Sequence, residues 1–235
     1  MSMSSEQIIL LVGASRGIGL ALVEELANTP NTRAIGTIRT QSTAKPVPNV
    51  TFITLDITDE RSIESAVRAI PEIDTLIINA GMGAKDPVTT ISTARLAEYF
   101  DVNVLGPHRV IRALLPALRA RRTRRIVFIS SSSGSIGQQA LPGSVGLAGA
   151  YGVSKAALNM LAVQCHNELQ RAGEDPGFTV VPIHPGWVAT DMGGQHGPGG
   201  MPPATCAKAI LKLVDTLSTE NSATFYRFDG EQLPW

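Results

Sequence analysis

Seven short apolar runs, separated by stretches with helical periodicity, constrain the fold of this 235-residue chain more than any other feature. The first run, residues 8–12, has five apolar residues in a row and no polar alternation. Strands that are covered by helices on both faces show this pattern. The sequence therefore predicts an α/β fold, a doubly wound, seven-stranded parallel sheet with helices on both faces. The predicted strands are residues 8–12, 33–38, 50–54, 75–78, 126–130, 179–183 and 223–228.

The composition is that of one globular domain without a strongly charged partner. Hydrophobic residues make up 43% of the chain and no shift in composition marks a boundary, so we expect one domain over residues 1–235. The formal net charge is zero, which argues against nucleic acid or an acidic membrane as a partner. Two unpaired cysteines and a polar N-terminus favour a cytoplasmic protein, and no His/Cys cluster predicts a metal site.

A glycine-rich segment, residues 13–19, lies between the first predicted strand and the first helical pattern. Glycines let a backbone approach a phosphate closely, and the helix N-terminus behind them offers unpaired N–H groups. The G-x-x-x-G-x-G spacing, without a following Gly-Lys-Ser/Thr, excludes a nucleotide triphosphatase loop and predicts a dinucleotide site. The residues expected to form this site are Gly13, Ser15, Arg16, Gly17, Ile18 and Gly19.

Arg39 stands twenty residues after Gly19, at the end of the second predicted strand. An acidic residue at this place binds the adenosine ribose of NAD, whereas an arginine can bind the 2′-phosphate of NADP. Arg16 can approach the same phosphate from the other side. A pair of solvated surface arginines is the alternative. The sequence therefore favours NADPH over NADH as the cofactor.

Two further strand ends carry residues suited to the adenosine half of a dinucleotide. After the third strand, Asp56 and its neighbour Ile57 can contact the adenine, with the carboxylate accepting from the amino group, or Asp56 can simply begin the next turn. After the fourth strand, Asn79, Ala80 and Gly81 leave room for a ribose, and the asparagine can bridge backbone groups. A purely structural turn is the alternative for this second segment.

Tyr151 and Lys155 stand four residues apart at the start of a long helical pattern, so their side chains share one helix face. An ammonium about 4 Å from a phenolate contributes about 4 kcal/mol at an effective dielectric of about 20. That is enough to lower the pKa of Tyr151 from about 10 to about 7, where a phenol can act as acid or base. A chance pair with the lysine in solvent is the alternative.

Together these motifs resemble those of a classical short-chain dehydrogenase/reductase. The resemblance rests on the glycine-rich segment, residues 79–81, the serines after the fifth predicted strand, Tyr151-x-x-x-Lys155 and Pro185-Gly186, in the family's order along nearly the whole chain. Residues 154–159 and 229–235 are further similar to C-factor and sniffer-type carbonyl reductases. The resemblance implies a Rossmann-type domain that transfers a hydride.

The resemblance also implies roles for four polar residues. Tyr151 would be the general acid in carbonyl reduction or the base in alcohol oxidation, and Lys155 would lower its pKa and bind the nicotinamide ribose. Ser131 would orient the carbonyl, although the four consecutive serines leave Ser132 as the alternative. Asn103 would complete the set.

A proline supports the place of Asn103 independently of the family. Gly106-Pro107 interrupts a helical pattern over residues 92–120, and Pro107 has no N–H to donate to the Asn103 carbonyl four residues earlier. We expect the freed carbonyl to hold a water that connects Lys155 to solvent and re-protonates Tyr151. A kink that only fits helix packing is the alternative.

After the sixth predicted strand the resemblance implies contacts to the nicotinamide and pyrophosphate from Pro185, Gly186, Val188 and Thr190. Residues 138–149 are expected to form a wall over the substrate and residues 193–203 a short lid. Such a site is relatively open and suits a small hydrophobic carbonyl or alcohol compound. The residues expected to contact this compound are Met82, Leu141, Trp187 and Met192.

The sequence thus predicts an NADPH-dependent carbonyl reductase in which hydride passes to a ketone or aldehyde and Tyr151 donates the proton. An NAD-dependent alcohol dehydrogenase is one alternative. A non-catalytic protein that binds NADPH and senses its redox state is the other. Apolar residues around the helical patterns at residues 102–118 and 154–169 favour a homodimer or homotetramer.

Overall fold

The computed structural model describes residues 6–40, 46–143, 149–174 and 177–235. One seven-stranded sheet runs through the molecule in the order β3-β2-β1-β4-β5-β6-β7, and neighbouring strands are parallel throughout. This confirms the predicted fold class. The strands are β1 (Gln7–Val12), β2 (Thr32–Ile38), β3 (Val50–Thr54), β4 (Thr75–Ile78), β5 (Arg125–Ile129), β6 (Thr179–His184) and β7 (Tyr226–Arg227).

Helices cover both faces of the sheet. Alternate residues of β1 enter opposite cores. Leu10 packs with the helices Glu60–Val67, Gly106–Arg119 and Ala150–Arg171 on one face, and Leu11 packs with the helices Gly17–Leu26 and Pro203–Thr216 on the other. None of the helices in the described ranges combines the length and apolarity of a membrane span. The α-helices are α1 (Gly17–Leu26), α2 (Glu60–Val67), α3 (Thr93–Phe100), α4 (Gly106–Arg119), α5 (Ile136–Gln139), α6 (Ala150–Arg171) and α7 (Pro203–Thr216).

The strand order determines where a ligand can bind. Strands β2 and β3 extend the sheet to one side of β1, whereas β4 to β7 extend it to the other. The loops that leave β1 and β4 therefore run to opposite faces and leave a crevice at the carboxyl ends of these strands, which is the ligand site of doubly wound sheets. The predicted site residues follow the ends of β1 to β6.

The last strand is shorter than predicted. Only Tyr226 and Arg227 form β7, although residues 223–228 were expected to be extended. Ala223 has a φ of 54°, a left-handed conformation that a regular strand does not allow. Its N–H still donates to Val180 O, and the Phe228 N–H donates to His184 O, so the segment follows β6 without regular pairing.

The predicted break at Gly106-Pro107 is instead a π-helical turn. Residues Asp101–Leu105 form this turn between α3 and α4, and the Gly106 N–H donates to the Asp101 carbonyl oxygen, five residues back. Pro107 therefore lies in the first turn of α4, where a missing N–H costs little. The helical pattern is thus interrupted next to Gly106-Pro107 by a π-helical turn that contains Asn103, and the water at the Asn103 carbonyl stays a prediction.

Candidate active site

The glycine-rich segment joins β1 to α1 at the crevice and brings three backbones close together. Gly13 has a φ of 90°, and a Cβ atom there would lie 2.8 Å from Ala80 Cα. A Cβ atom on Gly19 would overlap the Gly13 carbonyl, and one on Gly17 would lie 3.2 Å from Thr190 Cγ2. Side chains at these places would fill the cradle, so the glycines fit the pyrophosphate of a dinucleotide.

Asn79 connects the end of β4 to this cradle. Its Nδ2 donates to the Gly13 carbonyl oxygen at 2.7 Å, which is the bridging contact the sequence predicted. Two residues later, a Cβ atom on Gly81 would lie 3.1 Å from Asn103 Oδ1 and 3.7 Å from Lys155 Nζ. The segment of residues 79–81 therefore runs from the glycine-rich turn directly to the predicted catalytic residues.

The two arginines predicted to bind the 2′-phosphate are both exposed. Arg39 directly follows β2 at the edge of the crevice. Arg16 Nη1 lies 2.8 Å from Asp191 Oδ2, and both side chains of this pair are 80% exposed. Ion pairs this exposed contribute little, so a phosphate can compete for Arg16. The joint approach of Arg16 and Arg39 to one phosphate stays a prediction.

At the end of β3, Asp56 begins a turn. Its Oδ1 accepts hydrogen bonds from the Thr58 N–H at 2.9 Å and from the Thr58 hydroxyl at 2.7 Å. The Ile57 side chain is buried against Gly106, and its carbonyl oxygen accepts from Arg109 Nη1 at 3.4 Å. Asp56 therefore begins a turn, which was the alternative to a contact with adenine, and the adenine contact stays a prediction.

Ser131 is the serine that the fold brings to Tyr151. A hydrogen bond with the Ser131 hydroxyl lowers the pKa of the Tyr151 phenol. Ser130 instead donates to Asn159 Oδ1 at 2.5 Å, and Ser132 begins the 3₁₀-helix Ser132–Gly134, whose N-cap is Ser131. Geometry therefore favours Ser131 over Ser132 as the partner of Tyr151.

The expected electrostatics of Tyr151 and Lys155 were wrong in this structure. Burial raises the pKa of Tyr151 to about 12 despite the hydrogen bond with Ser131, and burial lowers the pKa of Lys155 to about 8. Lys155 Nζ donates to the Ile129 carbonyl oxygen at 2.9 Å and lies 5.7 Å from the Tyr151 ring centroid. Desolvation of both groups therefore outweighs the attraction that the four-residue spacing suggested.

Asn103 is buried in the π-helical turn and joins this turn to the catalytic helix. Its Oδ1 accepts from the Met82 N–H, and its Nδ2 donates to the Met82 carbonyl and to Ser154 Oγ, each at 2.9 Å. Ser154 in turn donates to the Tyr151 carbonyl oxygen at 2.8 Å. Sequence reasoning missed the contribution of Ser154, although its place three residues after Tyr151, on the same helix face, was the available signal.

The segment after β6 lies across the crevice from the glycine-rich turn. Pro185 is buried, and Gly186 has a φ of 77°, while a Cβ atom there would lie 2.8 Å from the Phe228 ring. Val188 is buried and pairs with Met201, while Thr190 Oγ1 accepts from the Gly193 N–H at 3.1 Å. Thr190 also packs against Gly17, so this segment reaches the glycine-rich turn, and its contacts with a nicotinamide stay a prediction.

Met192, and Gln195 in the segment predicted to form a lid, contact the loop beside Tyr151. Gln195 Nε2 donates to the Gly83 carbonyl oxygen at 3.0 Å, and a Cβ atom on Gly83 would lie 2.9 Å from Met192 Sδ and 3.0 Å from the Tyr151 ring. Met82 and Met192 pack in one cluster with Tyr151, as expected of residues that line an apolar substrate site. Of the predicted wall, residues 144–148 lie outside the described residues.

Comparison with known proteins places the chain in a family. Residues 7–199 match the model of the short chain dehydrogenase family. The chain is 37% identical over 164 residues to C-signal of Myxococcus xanthus, which covers 69% of this chain and 93% of that protein. The NADPH-bound carbonyl reductase from chicken fatty liver has a TM-score of 0.86 and 29% identity, covering 100% of this chain and 96% of that one.

The carbonyl reductase Sniffer of Drosophila melanogaster is similar to the same degree. Its structure has a TM-score of 0.85 and 26% sequence identity, and the match covers 98% of this chain and 100% of that one. Together with C-signal, it confirms the resemblance to C-factor and sniffer-type proteins that the sequence indicated. The chain belongs to the short-chain dehydrogenase family of oxidoreductases.

Proposed function

We propose that this protein is an NADPH-dependent carbonyl reductase that converts a ketone or aldehyde to an alcohol, with Tyr151 as proton donor. The observation that carries the proposal is the place of Ser131 beside the Tyr151 phenol, whose pKa it lowers, with the buried Lys155 on the same helix face. NADPH, when bound, supplies the hydride. Metal ligands play no part in the proposal.

Tyr151 suits the role of an acid. Because burial raises its pKa to about 12, the phenol keeps its proton throughout the neutral pH range. A carbonyl oxygen that accepts from both Tyr151 and Ser131 gains hydrogen bonds that strengthen as negative charge develops on that oxygen. Ser131 is also fixed, because its Oγ accepts from the Ser133 N–H at 3.1 Å. The two hydroxyls thus form a prepared site for an alkoxide.

Lys155 suits the role of supplying that proton and a positive charge. Its pKa of about 8 lies close to neutral pH, so the ammonium can give up and regain a proton during turnover. The Asn103 amide holds the neighbouring loop and α6 together, which keeps the surroundings of Lys155 fixed. We propose that the π-helical turn of Asn103 provides the water through which Lys155 exchanges protons with solvent.

The cofactor is proposed from Arg39 and Arg16, which are exposed at the crevice where the adenosine end of a dinucleotide binds. The chicken carbonyl reductase with a TM-score of 0.86 holds NADPH, which supports the same choice here. For the substrate, Met82 and Met192 beside Tyr151 favour a small hydrophobic carbonyl compound. A homodimer or homotetramer remains part of the proposal.

Screening ketones and aldehydes with the purified protein and NADPH tests the function directly. We expect loss of nicotinamide absorbance that depends on the carbonyl compound. In Tyr151→Phe the rate of this absorbance loss should fall by at least about a hundredfold while NADPH still binds, because a positioned general acid contributes at least that much. Binding of NADPH without turnover by the unmodified protein, across a broad panel, would instead support the redox sensor.

Arg39→Asp tests the cofactor assignment. We expect the ratio of kcat/KM with NADPH to kcat/KM with NADH to fall by about tenfold or more, because a charge-assisted contact to the 2′-phosphate is lost and a repulsion is added. Arg33→Asp is the matched control, since Arg33 is exposed at the opposite end of β2. An unchanged ratio in Arg39→Asp would favour the NAD-dependent alcohol dehydrogenase.

A further inference from the structure

The loop that follows β4 contacts the start of α6 through the backbone of Asp86. The Asp86 carbonyl oxygen accepts from the Ala150 N–H at 3.0 Å, and Asp86 pairs with Gly149 in an isolated parallel bridge. Gly149 has a φ of 78°, and a Cβ atom there would overlap the Asp86 carbonyl. The residues directly before Tyr151 are therefore held against Asp86 at a distance that only glycine permits.

Two residues of α3 hold the Asp86 side chain. Its Oδ2 accepts from the Tyr99 hydroxyl at 2.8 Å and from Arg95 Nε at 3.0 Å. Arg95 also donates to Glu98 at 2.7 Å and lies over the Tyr99 ring, with Cζ 5.2 Å from the centroid. The hydrogen bonds from Tyr99 and Arg95 hold the pKa of the Asp86 carboxyl below its usual range, so it is a carboxylate at neutral pH.

Tyr99 connects this carboxylate to the packing around the catalytic tyrosine. Its side chain is fully buried in the same cluster as Ala150 and Tyr151. Burial and the hydrogen bond to Asp86 raise the pKa of Tyr99, so its hydroxyl stays protonated and able to donate. Asp86 therefore anchors the start of α6 twice, through its backbone to Ala150 and through Tyr99 to the cluster around Tyr151.

We propose that Asp86, held by Arg95 and Tyr99, is a positioning residue that sets the place of the Tyr151 hydroxyl relative to Ser131. This inference rests on the proposed reductase function, because the position of Tyr151 matters to the rate only if Tyr151 donates the proton. Asp86 acts through Ala150 and Tyr99. A displacement of about 1 Å at a reacting group can cost about a hundredfold in rate, so the anchor matters for catalysis.

Substitution of Asp86 tests the proposal, because a positioning residue should affect kcat and leave the affinity for NADPH unchanged. Asp86→Ala is expected to lower kcat by about tenfold to a hundredfold, with the Kd for NADPH unchanged within about twofold, because the glycine-rich cradle is untouched. Slower proton donation should also raise the solvent deuterium isotope effect on kcat. Asp86→Asn keeps an oxygen acceptor for the Tyr99 hydroxyl, so we expect it to regain part of the lost rate.

Glu174 provides a matched control at the opposite end of the same helix. It follows α6 and accepts from Arg119 at 2.7 Å and from Arg124 at 3.1 Å, with a side chain 20% exposed against 28% for Asp86. Glu174→Ala removes a carboxylate with two arginine partners, as large a loss of ion pairing as Asp86→Ala. We expect its kcat and its solvent isotope effect to stay at the values of the unmodified protein.

Amide hydrogen exchange separates failure of the anchor from failure of the reductase function. In Asp86→Ala and Tyr99→Phe we expect exchange to speed up by about tenfold or more in residues 149–154, with no change in α7. Unchanged exchange in both variants would overturn the anchor, whatever the activity. Full retention of kcat in both variants of an active protein would also overturn it. A lack of turnover by the unmodified protein would instead overturn the reductase function.

Discussion

Lys155 Nζ donates a 2.9 Å hydrogen bond to the carbonyl oxygen of Ile129, at the end of β5. The ammonium is thus held by the sheet, 5.7 Å from the centroid of the Tyr151 ring. Since burial lowers the pKa of Lys155 to about 8 and raises that of Tyr151 to about 12, both groups carry their protons at neutral pH. Lys155 is the one that loses its proton first as the pH rises.

The pH dependence of kcat/KM for NADPH should report this loss, because kcat/KM reflects the pKa values of the free enzyme. We expect it to fall above about pH 8, approaching tenfold for each further pH unit, since the protonated Lys155 is the active form. Tyr151 stays a phenol in this range and causes no fall. Initial rates from about pH 6 to about pH 10 are the measurement. A profile that stays level across this range would contradict the assignment to Lys155.

Arg16 and Asp191 join the glycine-rich turn to the segment after β6, and this exposed pair should compete with the cofactor for Arg16. Asp191→Asn is expected to tighten NADPH binding about two- to fivefold, because an exposed ion pair is worth at most about 1 kcal/mol. Fluorescence titration with NADPH and NADH measures the effect, which should shrink at high salt.

Glu231→Gln serves as the control for Asp191→Asn. It removes the same charge from an exposed pair, Glu231 with Arg227, whose guanidinium lies 2.6 Å from the carboxylate. We expect NADPH binding in this variant to be unchanged. Equal tightening in the two variants would show that net charge alone is responsible, and weaker binding in Asp191→Asn would show that Asp191 helps to hold the cofactor.

Most of the sheet could be predicted because its strands are short apolar runs bounded by turn-forming or polar residues. β3 and β4 begin and end at the predicted residues. The end of the sheet could not be predicted in this way, since the length of β7 depends on the left-handed conformation of Ala223, which its sequence neighbours do not reveal. Whether a strand at a sheet edge pairs regularly depends on the residues that pack against it in the folded chain.

In the candidate site, too, some contacts could be predicted from the sequence and others could not. Contacts within the glycine-rich turn, and the bridge from Asn79 to Gly13, could be predicted because dense local motifs mark them. Asp86 and Tyr99 belong to no motif, and they meet the start of α6 only in the folded chain. The pKa of Tyr151 was missed for the same physical reason, since burial is a property of the packed molecule and not of a four-residue spacing.

His184, at the end of β6, should make the protein sensitive to acid. Its Nδ1 is buried with no hydrogen-bond partner among the described residues, and burial, together with Arg227, lowers its pKa from 6.5 to about 4, against an opposing effect of Asp229. Between these two pH values the unfolded chain binds a proton that the folded protein does not. The free energy of unfolding therefore falls as the pH drops from 6.5 towards 4, by at most about 3 kcal/mol from this residue.

Comparison with His184→Asn isolates this contribution, because asparagine keeps a polar atom near the place of Nδ1 and does not titrate. Urea unfolding of both proteins at about pH 7 and about pH 4.5 gives the free energies of unfolding. We expect the free energy of unfolding to fall more in the unmodified protein than in His184→Asn over this interval. The stability of the variant relative to the unmodified protein should therefore rise as the pH drops. Parallel losses in the two proteins would mean that His184 takes up a proton as readily in the folded chain as in the unfolded one.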